Sequence, residues 1–223
     1  MLTPRLKAIY NHVSAETIAD IGTDHAYIPI ELAITGRIRH SIATDINSGP
    51  LSIAAANIKK YGLTNKIELR LGPGLAPILA GEADEMIIAG MGGEMIRQIL
   101  EEGRTVAQSA SRLILQPMNA QYELRKWLAS NHFRIDREDI ATEGHKVYNI
   151  LIITNGEMLF SEKDIYLHLP QSLQNHPDFG ALWSKKHREF KKIRDGLLRS
   201  QIKNESLILK YTELLSDLER IKP

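Results

Sequence analysis

A short acidic turn supplies the first residues whose types and spacing could do chemistry. The segment Asp20-Ile-Gly-Thr-Asp-His-Ala26 follows an apolar run, so it lies at the end of a predicted strand. Dinucleotide folds place glycine at three positions of such a turn, because the backbone approaches a pyrophosphate closely. Only Gly22 keeps that pattern, and carboxylates stand nearby. A ligand with an amine or a sulfonium cation, as in S-adenosylmethionine, fits the turn better than a pyrophosphate does. The candidate cofactor contacts here are Asp20, Gly22, Asp24 and His25.

Asp45 is the second acidic candidate. It ends the second predicted strand 23 positions after Gly22, where an acidic residue binds ribose hydroxyls in folds of this kind. Its neighbour Ile46 is then also placed against the cofactor. A helix N-cap is the alternative for Asp45, because Asn47 and Ser48 also precede a predicted helix.

Glycines follow the third and fourth predicted strands. The segments Gly72-Pro-Gly74 and Ala89-Gly-Met-Gly-Gly93 both lie at strand ends. Glycine there lets a ligand approach the backbone at the edge where open α/β sheets bind ligands, whereas a plain strand-to-helix turn needs only one or two. We expect Gly72, Gly74, Ala89 and Gly90 to contact the cofactor. We expect Gly90, Met91 and Gly92 to lie beside the reacting atoms.

The elements that must position these residues alternate between apolar runs and amphipathic stretches, which is typical of a βαβ protein with a parallel sheet. Thr3 and Pro4 predict the start of a first helix. Strands are predicted at 17–21, 41–45, 66–71, 85–89 and 112–116, and helices at 25–38, 51–61, 94–102 and 121–130. Two more runs, 133–140 and 146–153, are joined by a segment long enough only for an antiparallel hairpin. An ordinary nucleotide-binding Rossmann sheet lacks that ending.

The pattern changes after Asn155-Gly156. A loop-rich bridge leads to two stripes at 3,4 spacing, and the register breaks near 203–206, which predicts an antiparallel pair of helices. The stripes are Trp183, Lys186, Phe190, Ile193 and Leu197, then Leu207, Tyr211, Leu214, Leu218 and Ile221. We divide the chain into a Rossmann-like domain, 1–157, and a helical coiled-coil domain, 158–223. An ordinary appendage and a functional arm are equally good interpretations of the second domain.

The net charge of +1 hides an uneven distribution. Residues 181–223 contain eleven basic and six acidic residues, and the remainder contains 17 basic and 21 acidic ones. A basic tail on an acidic body indicates a polyanionic partner for the tail. The chain has no cysteine, which excludes thiolate metal sites, disulfides and cysteine nucleophiles. It has no apolar run long enough to cross a membrane and no signal peptide pattern, so we expect a cytoplasmic protein.

Four segments together resemble the bacterial tRNA (adenine-22-N1)-methyltransferase family, TrmK. They are residues 20–30, Ser48-Gly-Pro-Leu51, Ile88-Ala-Gly-Met-Gly-Gly93 and Leu113-Ile-Leu-Gln-Pro117. The resemblance covers most of the chain, including the C-terminal coiled coil. It implies an α/β fold of the class I methyltransferase type, with five parallel strands and a terminal antiparallel hairpin. It also implies methyl transfer from S-adenosylmethionine to N1 of an adenine at position 22, in the D-arm region of tRNA.

Three residues depart from the family pattern. Asp45 stands where the family commonly has glutamate, which preserves a ribose-binding role. Pro73 stands where aspartate is frequent, and Met118 where asparagine is expected. These last two departures bear on the finer contacts to the cofactor and the substrate.

The chemistry implied by the resemblance assigns roles to the acidic turn. Adenine N1 has an in-plane lone pair and attacks without deprotonation, so positioning is the main demand. We expect Asp24 to stabilise the cationic product, and Asp24 or His25 to accept a proton from N6. Tyr27 is expected to stack on the extruded base. Core packing is an equal alternative for Tyr27, and a purely positioning hydrogen bond is the alternative for His25.

Basic residues on the first helix and the tail are the candidate contacts to tRNA phosphates, and a solvated coiled-coil face is the alternative. They are Arg5, Lys7, Lys185, Lys186, Arg188, Lys191, Lys192 and Arg199. Lys146 and Tyr148, near the hairpin tip, are further candidates for substrate contact. We expect a monomer without a metal. The alternatives are a methyltransferase of another RNA or small molecule, a non-catalytic RNA-binding protein, and an NAD-dependent oxidoreductase, which Asp24 and Ala26 disfavour.

Overall fold

The computed structural model describes residues 2–158 and 163–223, so Met1 and residues 159–162 of the predicted bridge lie outside the described part. The strands are β1 (Thr17–Ile21), β2 (His40–Asp45), β3 (Ile67–Leu71), β4 (Glu85–Met91), β5 (Arg112–Pro117), β6 (Phe133–Glu143) and β7 (Lys146–Asn155). They form one sheet in the order β3-β2-β1-β4-β5-β7-β6. The first five strands pair in parallel, and β7 pairs antiparallel with both β5 and β6. The predicted fold class is confirmed.

Helices cover both faces of the sheet. One apolar cluster joins the sheet to α1 (Pro4–His12), α2 (Tyr27–Ile34) and α3 (Ser48–Lys60). The other joins it to α4 (Gly93–Glu102), α5 (Arg104–Ser109) and α6 (Gln121–Ser130). The parallel strands are therefore buried on both sides, as parallel sheets require.

Helix boundaries follow from local backbone chemistry. The Thr3 side chain accepts a hydrogen bond from the Leu6 amide, and Pro4 begins α1, as predicted. The predicted helix 25–38 is shorter in the structure. Its start is delayed to Tyr27 because Ala26 lies in the left-handed region with φ of 58°, and it ends at Ile34, before Gly36 with φ of 70°. Position 36 follows the common rule that glycine ends a helix.

The terminal hairpin is longer than predicted. Most of segment 141–145, expected to be a loop, is strand, and only Gly144 and His145 make the turn. Gly144 has a φ of 59°, which such tight turns require. Because β6 runs in the same direction as β5, the hairpin tip lies at the carboxyl edge of the parallel strands.

The C-terminal segment packs against this hairpin. It contains α7 (Ile165–His168), a 3₁₀ turn (Gln171–Leu173), α8 (Phe179–Arg199) and α9 (Glu205–Arg220). The last two form the predicted antiparallel pair, in which Trp183 Nε1 donates to the Leu218 carbonyl at 2.9 Å. A third apolar cluster joins these helices to Ile140 and Val147 of the hairpin. The helices α5 and α7 were not predicted.

Polar contacts also hold the C-terminal segment. Arg125 on α6 is buried, donates twice to the Glu138 carboxylate at 3.0 and 2.7 Å, and donates to the Leu167 carbonyl at 2.9 Å. Asp139 on β6 bonds His12 of α1 at 2.6 Å and His176 at 2.8 Å. One edge strand thus ties the first helix to the segment that precedes α8.

Candidate active site

A cavity of about 880 Å³ opens at the carboxyl edge of the sheet, above the ends of β1 to β4. The order of the strands reverses between β1 and β4, and ligands of open α/β sheets bind at such a switch point. Helices α1, α2 and α4 close the walls. The predicted site residues that line the cavity are Arg5, Asp20, Gly22, Asp24, Tyr27, Asp45, Ile46, Gly72, Gly74, Ala89, Gly90 and Met91.

The turn after β1 is held in an unusual backbone conformation. Gly22 has a φ of 69°, and Asp24 has a φ of 55°, which residues with a Cβ rarely adopt. The Thr23 amide donates to the Thr44 carbonyl at 2.8 Å, so the turn is fixed against β2. A Cβ at Gly22 would be strained and would overlap the Met91 methyl group. Glycine is therefore required where the turn meets the cavity.

Asp20 is the most deeply buried carboxylate of the cavity. Its side chain accepts a hydrogen bond from the Thr23 hydroxyl at 2.6 Å. The pKa of Asp20 is raised to about 6, chiefly because the carboxyl is buried; the Thr23 bond opposes the rise and the nearby charge of Asp45 adds to it. A cation beside Asp20 would compensate the carboxylate that burial penalises.

Asp45 does not cap the following helix, so the N-cap alternative is wrong. Asn47 is the residue that precedes α3. The Asp45 carboxylate instead accepts bonds from the Asp24 amide at 3.3 Å and the Asn47 amide at 2.9 Å. It therefore lies at the rim between the turn and β2, with lone pairs left for a hydroxyl-bearing ligand.

Tyr27 lines the cavity, whereas His25 lies behind it. Tyr27 is half exposed and lines the cavity, so core packing does not explain it. His25 is not among the lining residues. Its Nδ1 lies 3.0 Å from the Tyr27 hydroxyl, and its Nε2 lies 3.5 Å from Asp24 Oδ1. His25 thus contacts Tyr27 and Asp24, and its direct contact with the cofactor stays a prediction.

The glycine run after β4 serves two purposes. Gly90 lines the cavity with a φ of 79°. Gly92, expected beside the reacting atoms, does not line it, because its Cα faces the Asn119 side chain. A Cβ on Gly93 would lie 2.7 Å from the Ala120 carbonyl oxygen. The last two glycines therefore let α4 pack against the loop after β5, and the role of Gly92 beside the reacting atoms stays a prediction.

Gly72 and Gly74 line the cavity, but contacts within the protein also require them. A Cβ on Gly72 would lie 2.6 Å from Pro77 Cγ, and Gly74 has a φ of 49°. Their presence therefore reports a tight loop as well as an approach to a ligand.

Sequence analysis missed one whole wall of the cavity. Met95, Gln98, Ile99 and Glu102 of α4 line it, as does Thr44 at the end of β2. The signal for the α4 residues was available, because their 3,1,3 spacing places them on one helical face, directly after the glycine run.

Two of the predicted tRNA contacts are engaged inside the protein. Lys186 is buried and its Nζ lies 3.0 Å from Glu189. Lys185 Nζ donates to the Val147 carbonyl at 2.8 Å, and burial lowers the pKa of this lysine. Both predictions are corrected, because the Lys185 ammonium group ties α8 to β7 and the buried Lys186 pairs with a glutamate of its own helix.

The remaining basic candidates fall into separate places. Arg5 lies in the cavity, so it does not extend the surface of the tail as expected. Lys7 Nζ sits 3.9 Å from the centre of the Tyr10 ring. The exposed basic residues of α8 are Arg188, Lys191, Lys192 and Arg199.

The donor set of the cavity fits a cationic ligand with hydroxyl groups. Asp20, Asp24, Asp45 and Glu102 line it, and Arg5 is the only basic residue among the described lining residues. Thr44 also lines it, and its buried hydroxyl has no hydrogen-bond partner within the described part of the chain. No cluster suited to a metal ion is found in residues 2–158 and 163–223.

Known proteins share this architecture over most of its length. A Bacillus subtilis tRNA (adenine(22)-N(1))-methyltransferase is 37% identical over 157 residues, which is 70% of this chain and 66% of that relative. The aligned part is thus just under two thirds of the relative's length. The Streptococcus pneumoniae structure of Sp1610, proposed to be a tRNA (m1A22) methyltransferase, is 33% identical with a TM-score of 0.90, and 99% of each chain is covered. A Mycoplasma capricolum TrmK structure, in complex with S-adenosyl-homocysteine, superposes with a TM-score of 0.78 at 28% identity, covering 99% of this chain and 96% of that one.

The sheet order, the reversed last strand and the cavity at the switch point define a class I methyltransferase domain. The family model described as a methyltransferase domain matches residues 2–151. Within that class, the chain belongs to the bacterial tRNA (adenine-22-N1)-methyltransferase family.

Proposed function

We propose that the protein transfers the methyl group of S-adenosylmethionine to N1 of adenine 22 in tRNA. The observation that carries the proposal is an acidic, glycine-lined cavity at the switch point of a methyltransferase fold. It is supported by relatives whose names give this reaction and by a relative crystallised with S-adenosyl-homocysteine. When bound, S-adenosylmethionine supplies an electrophilic methyl group on a sulfonium.

The cofactor is held in this proposal by carboxylates and backbone. Asp20 and Asp24 face the cationic groups across the Gly22 turn, and Asp45 with Ile46 receives the ribose. The remaining cofactor contacts are Gly72, Gly74, Ala89 and Gly90. His25 acts behind Tyr27 and Asp24, by fixing the positions of their side chains.

The acceptor adenine is placed by Tyr27, Gly90 and Met91. Tyr27 is exposed to the cavity and offers a flat face for an extruded base. Asp24 stays two-thirds exposed at its side chain and stabilises the positive charge of the methylated ring. Because N1 attacks through a free lone pair, these residues orient the base and offset charge rather than remove a proton from N1.

Transfer of labelled methyl groups tests the proposal directly. The protein is incubated with labelled S-adenosylmethionine and unmodified bulk tRNA, and the modified base is mapped. We expect N1-methyladenine at position 22, and no label in a matched tRNA that carries guanine there. Label at another base or ring atom would refute the substrate assignment. Tight NAD binding without binding of S-adenosylmethionine would refute the cofactor.

We propose further that the C-terminal unit, 158–223, is a tRNA-binding arm beside the 1–157 catalytic domain. Three exposed basic residues of α8, Arg188, Lys192 and Arg199, share one helical face, opposite the buried stripe of Trp183 and Phe190. The hairpin tip and the cavity lie at the same edge of the sheet, so a helix packed on that hairpin starts on the side of the active site. A polyanion bound to the basic face of α8 therefore also reaches the active site.

Charge reversal tests the arm. Replacing Arg188, Lys192 and Arg199 by glutamate should weaken tRNA binding about 10-fold or more and make the salt dependence of affinity shallower, because fewer counterions are released. Affinity would be measured by filter binding over a range of salt concentrations. The control Lys59→Glu lies at the far edge of the sheet and should leave both quantities unchanged. If the salt dependence of tRNA affinity is unaltered in the triple variant, the C-terminal unit is not a tRNA-binding arm.

The oligomeric state and the compartment stay predictions. A monomer is expected, and light scattering of the purified chain measures it. No helix of the described residues is long and apolar enough to cross a membrane.

A further inference from the structure

The α4 wall of the cavity has no role in the cofactor contacts proposed so far. Met95 on this wall is 52% exposed, and Ile46, which also lines the cavity, is 65% exposed. Ligand pockets are lined mainly by apolar side chains, with a few polar groups that fix the orientation of the ligand. Gln98 and Glu102 are the polar side chains on the same helical face as Met95. This wall therefore has the composition of a binding surface for a flat group with a polar edge.

The order of the strands indicates which part of S-adenosylmethionine lies against this wall. In the proposed function the cationic groups face Asp20 at the end of β1, and the ribose faces Asp45 at the end of β2. In the cofactor the adenine follows the ribose, and in the sheet β3 follows β2. The Gly72 amide donates to the Asp45 carbonyl at 3.0 Å, so the loop after β3 begins beside the ribose site. The adenine is therefore expected at this loop.

The helix α4 lies over the same loop. A Cβ on Gly74 would lie 3.2 Å from Ile99 Cγ1. Gln98 precedes Ile99 on the helix, Glu102 follows it by three positions, and both line the cavity. Their side chains therefore lie at the adenine end of the cavity rather than at the Asp20 end.

A hydrogen bond within α4 fixes the amide of Gln98. Its Nε2 donates to Glu102 Oε1 at 2.8 Å. An ionised carboxylate only accepts, so this bond decides which end of the amide is the nitrogen. Gln98 keeps Oε1 as an acceptor and a second N–H as a donor. The Watson–Crick edge of adenine offers the complementary pair, an amino donor beside the N1 acceptor, and a glutamine can match adenine with two such bonds.

We propose that Gln98 recognises the adenine of the cofactor, with Glu102 as its positioning residue. Oε1 accepts from the 6-amino group, and Nε2 donates to N1 of the cofactor's own base. The 6-oxo base, hypoxanthine, presents the opposite pattern. A free glutamine amide can turn over to match it, but Oε1 of Gln98 would then face the Glu102 carboxylate. The pair therefore selects adenine. The inference rests on the proposed function and deepens it.

Binding of two ligands that differ only in this edge tests the selection. Calorimetry measures Kd for S-adenosyl-homocysteine and for its deaminated analogue, S-inosyl-homocysteine. The variants are Gln98→Met, Glu102→Ala and the control Gln108→Met, which replaces an exposed glutamine of α5 that does not line the cavity. Wild type and control should prefer the adenine compound about 10-fold or more.

The two site variants should lose this preference in different ways. Gln98→Met keeps the length of the side chain without its hydrogen bonds, so it should bind the adenine compound more weakly. Glu102→Ala frees the amide to turn over, so it should bind the inosine compound more tightly than wild type does. A merely structural role of either residue would change both affinities equally.

Other outcomes overturn the inference. It fails if wild type binds the two compounds equally, or if Gln98→Met keeps the wild-type preference. If Glu102→Ala loses the preference by weaker binding of the adenine compound while Gln98→Met keeps it, the carboxylate itself accepts the amino group. Absence of binding of either compound to wild type would overturn the proposed cofactor, and this inference with it. Intact selection without methylation of tRNA would overturn the proposed substrate alone.

Discussion

Asp20 shows how burial at the end of a strand prepares a carboxylate for a cation. The free protein destabilises the charged form, since the pKa of Asp20 is raised from 3.8 to about 6 by desolvation. Ionisation therefore reduces the stability of the free protein as the pH rises from 3.8 to about 6. When a cation is bound, ionisation of Asp20 stabilises the protein instead, because the cation favours the charged carboxylate.

The affinity for S-adenosylmethionine should therefore depend on pH. We expect the affinity to rise as the pH rises towards about 6, with a limiting slope of about tenfold per pH unit, and to level off above it. Asp20→Asn should bind weakly with little pH dependence, and the surface control Asp217→Asn should follow wild type. Calorimetric titration between about pH 5 and about pH 7.5 measures this. A flat wild-type profile would contradict the assignment.

Two glycines on helices have different roles. A Cβ at Gly93 would lie 2.7 and 2.8 Å from two backbone oxygens, of Ala120 and Asn119. A Cβ at Gly196, in the last turn of α8, would have nothing within 4 Å. The first glycine therefore permits a contact between two elements, and the second only weakens its own helix.

Two alanine substitutions should separate these roles. Gly93→Ala should lower the free energy of unfolding by about 1–3 kcal/mol, because backbone cannot move away as a side chain can. Gly196→Ala should raise it by about 0.5–1 kcal/mol through helix propensity. Urea denaturation followed by circular dichroism gives both values. Equal effects would mean that the contact of α4 with the loop after β5 is not tight.

The buried ion pair between α6 and β6 supports a third prediction. Arg125→Leu leaves the Glu138 carboxylate buried without its partner and should lower the free energy of unfolding by about 3–5 kcal/mol. The double variant Arg125→Leu with Glu138→Leu should recover much of that loss, since no charge remains buried. If the double variant is as unstable as the single one, the bond to the Leu167 carbonyl dominates instead.

Sequence periodicity predicted the helices and strands better than it predicted which residues meet in the site. The bounds of β1 and α6 match, because each is one uninterrupted pattern. The short helices α5 and α7 were missed, since one or two turns carry too little periodicity. In the site, local turns around Gly22, Asp45 and Gly90 were found. The wall from α4 and the place of Arg5 were missed, because only the topology brings them there.

At the scale of the whole molecule, a partly buried histidine lies where the C-terminal unit meets the catalytic domain. His168 of α7 stacks on Tyr122 with ring centroids 4.4 Å apart and meets Phe190 edge-on at 4.9 Å. The pKa of His168 is lowered from 6.5 to about 3, chiefly by burial; the charges of Lys186, Lys210 and Arg125 contribute to the lowering, and that of Asp164 opposes it. The folded state therefore keeps this imidazole neutral.

Acid should weaken this docking. Below pH 6.5 this histidine is protonated in the unfolded chain but stays neutral in the folded chain. The free energy of unfolding therefore decreases as the pH falls from 6.5 towards about 3. The contribution is about 1 kcal/mol per pH unit. His168→Phe keeps the stacking and should show a smaller loss between about pH 7 and about pH 5 in urea denaturation. The exposed control His145→Gln should show the same loss of stability with pH as wild type. An unchanged pH dependence in His168→Phe would place the acid sensitivity elsewhere.

The contacts of α1 impose an order on synthesis. Its residues bond Arg112, Gln116 and Asp139, which follow their partners by 100, 111 and 127 positions. A growing chain therefore cannot complete the docking of its first helix until β5 and the hairpin strand β6 have left the ribosome. The bond from Arg5 to Gln116 needs β5, so nascent chains that stop before β5 lack this contact in the cavity wall even though four of the parallel strands have formed.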